Sequence, residues 1–83
     1  MKGFLKFIIN GEEKILPLFE KGDRVKVKET LTAAIEAIGT VEKVRHGGLF
    51  VEVVWDKEKF ESKTGGHVSL GKTWMSDSLE LIS

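Results

Sequence analysis

Eight consecutive residues, Gly66-His67-Val68-Ser69-Leu70-Gly71-Lys72-Thr73, match the phosphate-loop pattern G-x-x-x-x-G-K-[ST] letter for letter. That spacing does chemistry where the loop leaves a buried strand and enters a helix, so that backbone amides and the helix N-terminus face the phosphates. The preceding Lys57-Glu58-Lys59-Phe60-Glu61-Ser62-Lys63 is too charged for a buried strand, and the residues after Thr73 offer no acidic strand to hold magnesium. The match is therefore read as coincidental for nucleotide hydrolysis. A less demanding use of the same residues is an anion nest made by Gly65, Gly66 and Gly71 with Lys72. Asp56, Glu58 and Glu61 fall in one segment, where paired acid and base work is one reading and a solvated charged loop the other. His46 and His67 each adjoin a glycine turn rather than a metal-ligand spacing, and there is no cysteine. No nucleophile is accompanied by a base and an orienting group, so the sequence predicts a protein that is not an enzyme and needs neither cofactor nor metal.

The elements that must position these residues read as β almost throughout. Phe4, Leu5, Phe7, Ile8 and Ile9 form an apolar run that stops at Asn10-Gly11, the preferred pair for a type I′ turn, and Ile15, Leu16, Leu18 and Phe19 resume it as a hairpin. Pro17 cannot donate to a ladder and belongs near a strand end or on an edge. Apolar residues on both faces predict that the hairpin is covered on two sides, by the rest of the domain and by a second copy of the chain. After the polar break Glu20-Lys21-Gly22-Asp23, Arg24-Val25-Lys26-Val27-Lys28 alternates with the valines inward.

Over 30–38, Leu31, Ala34, Ile35 and Ile38 fit a helical face that Gly39 would end, so this stretch reads as one or two helical turns or as plain loop. Val41 and Val44 sit on opposite parities of the strand Gly39–Arg45 and predict a bulge or a sharp bend. His46-Gly47-Gly48 turns the chain into Leu49–Trp55, read as the central strand, with Phe50 and Val54 adding apolar surface to its second face. Residues 56–72 read as a long surface loop with Phe60 as its lone large apolar residue. The stretch 73–82 reads as the closing strand, after a turn near Ser76-Asp77-Ser78.

At 83 residues there is room for one core, and with no cysteine its stability rests on packing or on association. The absence of cysteine suits a reducing cytoplasm, and no apolar run approaches the roughly 20 residues of a membrane span. A soluble, cytoplasmic protein without membrane attachment is the expectation. Thirteen basic residues balance thirteen acidic ones, which argues against a protein held mainly to a polyanion. The balance is uneven along the chain, at +3 over residues 1–28 and −3 over 29–83.

Gly22-Asp23-Arg24-Val25-Lys26-Val27, Gly39-Thr40-Val41, Val51-Glu52-Val53-Val54-Trp55-Asp56 and Leu79-Glu80-Leu81 give the chain an order that resembles the SH3-like small barrels, the group of KOW, Tudor-like and CAP-Gly domains. The resemblance covers about residues 22–82. It implies an all-β domain of about five strands to which residues 1–20 add an N-terminal hairpin. Ser62-Lys63-Thr64-Gly65-Gly66-His67-Val68 with Trp74-Met75 is similar in place to the CAP-Gly loop, although the residues that shape that family's groove are replaced. A Tudor-like cage would draw on Trp55, Phe60 and Trp74. A KOW-like use would imply RNA or polymerase contact.

The expectation is a noncatalytic module for a protein or peptide partner, with Phe50, Val54, Phe60, His46, His67 and Trp74 as the contact residues. The alternative is a nucleic-acid-binding barrel using the strip Arg24, Lys26, Lys28, Lys43 and Arg45.

Overall fold

The computed structural model describes residues 3–82, so that the first two residues of the predicted hairpin segment and Ser83 lie outside it. Its class is all-β, with three one-turn 3-10 segments as the helical content of the described residues. Strands β1 (Phe4–Ile9) and β2 (Glu12–Pro17) pair antiparallel in the register Ile9 to Glu12 and Phe4 to Pro17. The turn between them is Asn10-Gly11, both with positive φ (53° and 79°), as a type I′ turn requires. Such a two-residue turn closes on a hydrogen-bonded pair, and the bond from Leu18 N–H to the Gly3 carbonyl (2.8 Å) shows the same phase at the hairpin's base. Pro17 thereby falls at a non-hydrogen-bonded position, where its missing N–H costs the ladder nothing.

The main sheet holds β3 (Arg24–Val27), β4 (Ile38–Arg45), β5 (Phe50–Trp55), β8 (Thr73–Met75) and β9 (Leu79–Leu81) in the antiparallel order β8-β5-β4-β3-β9. The middle position therefore belongs to β4, not to β5. The register of β4 on β5 slips between Val41 and Lys43, leaving Glu42 as the extra residue of the bulge that the two valines imply. One face of the sheet carries Val25, Val27, Val41, Val51, Val53 and Leu79 into a core completed by Phe19, Ala34, Ala37 and Phe60. Gly39 is a strand residue rather than a helix stop. A β-carbon there would lie 2.6 Å from Val53 Cγ1 and 2.7 Å from the Val54 carbonyl oxygen, so close approach of the two strands demands glycine.

Over 29–38 the structure takes the reading of one short helical turn within a loop: a 3-10 turn spans Glu29–Leu31, and the irregular chain after it is bridged to a later segment at Ala34. Two expectations are corrected. Residues 56–72 are not a bare loop, because β6 (Phe60–Glu61) and β7 (His67–Val68) pair within them and Phe60 is only 2% exposed. The stretch 73–82 is two strands on opposite edges of the sheet, joined through the 3-10 turn Ser76–Ser78. Ser76 is fully buried there, its hydroxyl bonded to the Gly48 carbonyl and its N–H to the Leu49 carbonyl. No helix among the described residues is long and apolar enough to cross a membrane.

Candidate binding cleft

The connection 32–37 is held flat against β6 by backbone bonds on both sides of an antiparallel bridge between Ala34 and Ser62. Ile35 N–H donates to the Glu61 carbonyl (2.7 Å) and Lys63 N–H donates to the Ala33 carbonyl (2.8 Å). These bonds use groups that a helix would need internally, and they bury Ala34 and Ala37 instead of the larger Leu31 and Ile35, which stay exposed. At the other side Asp56 N–H donates to the Ile38 carbonyl at 3.0 Å, fixing the end of β5 against the start of β4. Glu36 lies between these clamps in the left-handed region, at φ 48°, a conformation that costs a residue bearing a β-carbon about 1–2 kcal/mol.

The result is an open cleft of about 250 Å3 lined by Ile35, Glu36, Ile38, Asp56, Lys57, Phe60 and Glu61. Ile35, Ile38 and the buried ring of Phe60 make its apolar part, and Glu36, Asp56 and Glu61 give three carboxylates against one ammonium. Asp56 is already committed. Arg24 donates from Nη1 to Oδ1 (2.7 Å) and from Nη2 to Oδ2 (2.6 Å), with a third bond to Thr40 Oγ1 (2.9 Å). Those hydrogen bonds, and then the charge of Arg24, hold the Asp56 carboxyl below its ordinary value, and they raise Arg24 in return. Glu36 and Glu61 carry no side-chain bond among the described residues, so their acceptor capacity faces solvent beside an apolar floor. An arrangement of that kind takes an apolar side chain flanked by a cation.

The contact residues read from the sequence do not form one surface. His46, at φ 53° in the 3-10 turn His46–Gly48, packs its ring edge-on to Phe50 at 5.6 Å. Val54 is exposed on the same strand face but lies beyond Glu52, about 13 Å along the strand from Phe50. His67 is exposed on β7. Phe60 is core, and Trp74 is half-buried against Trp55, whose ring it meets edge-on at 5.8 Å. Trp55 meets Phe60 in the same way at 6.1 Å, so the three rings pack on each other instead of walling a cage.

The phosphate-loop residues are equally dispersed. Gly65 and Gly66 form the tip of the β6–β7 hairpin, Gly71 turns its carbonyl toward both tryptophans, and Thr73 starts a strand where a phosphate loop would start a helix. Lys72 Nζ lies 2.9 Å from Glu42 Oε2 and 3.6 Å from Glu52 Oε1.

Most cations of the basic strip face a carboxylate. Arg24 holds Asp56, Arg45 Nε donates to Glu52 Oε2, Lys43 lies opposite Glu52, and Lys26 lies opposite Glu80. Glu52 is pulled below its usual value by Arg45 first and by Lys72 and Lys43 after it. Lys28, just beyond β3, completes the set without a carboxylate opposite it in any strand pair. Two of the strip's five cations, Arg24 and Arg45, are thus bonded to carboxylates.

The cleft itself escaped sequence reasoning. Phe60 is among the contact residues read from the sequence and Asp56 and Glu61 belong to its acidic cluster, but Ile35, Glu36 and Ile38 reach the cleft through pairing with a segment distant in sequence, as the Ala34–Ser62 bridge illustrates. Comparison with protein-family models, with curated proteins and with solved structures finds no match to this chain.

Proposed function

We propose that this chain is a noncatalytic interaction module, an SH3-like small barrel with an added hairpin, whose partner is a protein or peptide bound at the 35–38/56–61 cleft. The fold reading is supported by the five antiparallel strands, with Gly22-Asp23 turning into β3 and Gly39-Thr40-Val41 opening a bent β4. The observation that carries the functional reading is the apolar floor of Ile35, Ile38 and Phe60 beside the unbonded carboxylates of Glu36 and Glu61. A peptide that inserts one large apolar side chain and places Lys or Arg next to it satisfies both features. The nucleic-acid alternative is weaker, because Arg24 and Arg45 would have to leave bonded carboxylates to reach phosphates. The same reading extends to self-association through the hairpin and to a cytoplasmic setting.

Selection from a displayed random-peptide library against the immobilised protein tests the reading. Selected sequences should combine Lys or Arg with a large apolar residue, move the amides of 35–38 and 56–61, and lose binding to Ile35→Asp and Glu61→Lys. An oligonucleotide titration at low and moderate salt runs in parallel. Salt-sensitive shifts on Lys26, Lys28 and Lys43, with no peptide selected, would replace this function with the nucleic-acid one.

A further inference from the structure

The register of the N-terminal hairpin divides its side chains cleanly. Leu5, Phe7 and Ile9 share one face with Leu16, and that face turns toward the domain, with Leu16 fully buried and the Leu5 methyl close to Gly48. The opposite face carries Phe4, Lys6 and Ile8 from β1 with Pro17, Ile15 and Glu13 from β2. Nothing among the described residues covers it: Phe4 is 65%, Ile8 76% and Ile15 68% exposed. Within one chain, the rest of the domain covers one face of the hairpin and leaves the other open.

We infer that this face is the contact between two copies of the chain, packed face to face about a two-fold axis. Its charges single out a second copy as occupant. Lys6 and Glu13, its two charged positions among the described residues, already pair at 3.0 Å, so this part of the face is neutral and meets an identical face without net repulsion. In a two-fold arrangement each Lys6 can exchange its Glu13 for that of the other copy, which makes the face complementary to itself. A strongly charged partner gains nothing from a surface whose ions are satisfied and whose remaining four positions are apolar.

The area fits a reversible dimer. Phe4, Ile8 and Ile15 together expose roughly 400 Å2 per chain, in the range of patches that mark contacts. Two such faces approach about 800 Å2, below the roughly 1,200–2,000 Å2 of a specific, stable interface and in the range of weak, transient ones. The inference rests on the self-association reading above and names its surface; it does not depend on the cleft, which lies in other segments of the chain, so either can fail alone.

Sedimentation velocity from micromolar to millimolar protein tests it. The wild type should shift toward a dimer with little dependence on salt, and Ile8→Ser/Ile15→Ser should weaken association by at least about tenfold while Phe50→Ser leaves it unchanged. Because the double variant can also loosen the hairpin, the amide spectrum of the wild type is followed over the same concentrations. Shifts concentrated on Phe4, Lys6, Ile8, Glu13 and Ile15 are expected. A wild type that stays monomeric at millimolar concentration, a double variant that still dimerises, or concentration-dependent shifts elsewhere would each overturn the inference.

Discussion

Trp55 and Trp74 donate their indole N–H groups to one acceptor, the Gly71 carbonyl oxygen, at 2.8 and 2.7 Å. A carbonyl has two lone pairs and accepts both, so the strand residues Trp55 of β5 and Trp74 of β8 are tied through the connection that precedes β8. Trp74→Phe keeps an aromatic ring against Trp55 and removes one of the two donors. It should lower stability by about 1–2 kcal/mol. Urea unfolding followed by Trp55 fluorescence measures this, with the midpoint moving and the slope unchanged. An unmoved midpoint would show that the shared acceptor contributes nothing.

Gly39→Ala should be among the more damaging single changes. Its new methyl would meet the Val54 carbonyl oxygen at 2.7 Å, and backbone on an inner strand cannot turn aside as a side chain can. Overpacking of this kind costs about 1–3 kcal/mol. Gly66→Ala, where a β-carbon meets open space, is the matched control and should change stability little. Equal midpoints for the two variants in chemical denaturation would refute the close-packing argument.

These contrasts show where the sequence was legible. The Asn10-Gly11 turn and the bulge at Glu42 could be read because their causes are local: positive φ at two adjacent residues, and two valines on opposite parities. The helical spacing over 30–38 yields only the single turn Glu29–Leu31, because Ile35 and Ala33 bond to Glu61 and Lys63, and nothing near residue 35 announces that pairing. Phe60 looked like a surface residue because its neighbours are charged, whereas β6 alternates and turns that one ring inward. The cleft inherits both difficulties, since its two walls come from these two segments.

Glu36 tests whether the cleft's backbone strain is retained for binding. At φ 48° a glycine avoids the steric cost borne by glutamate, offset in part by its larger freedom when unfolded. Glu36→Gly should therefore leave stability unchanged or raise it by up to about 1 kcal/mol, while affinity for a peptide selected by the wild type falls. Thermal melts and a fluorescence-polarisation titration separate the two effects. A clear loss of stability would mean that the glutamate side chain holds the connection in place.

The Arg24–Asp56 pair makes a prediction about acid. Asp56 titrates below its ordinary 3.8 in the folded chain because Arg24 hydrogen-bonds the ionised form. A depressed carboxylate contributes stability that is fully present above the unfolded value and is lost as pH falls through the folded one. The relevant window therefore lies below about pH 4. Arg24, raised from an already high value, stays charged throughout that window.

Glu52, lowered by Arg45, titrates in the same sense, so Asp56→Asn should flatten the acid limb of the stability curve without abolishing it. At neutral pH the variant should melt a few degrees lower, the modest size reflecting a pair whose side chains are 38% and 41% exposed and screened by salt. Melting temperatures from neutral pH down to about pH 2 decide the matter. Wild-type and variant curves that converge as acid is added fit an ionised, bonded Asp56. Curves that stay parallel would place the acid sensitivity at Glu52 or elsewhere.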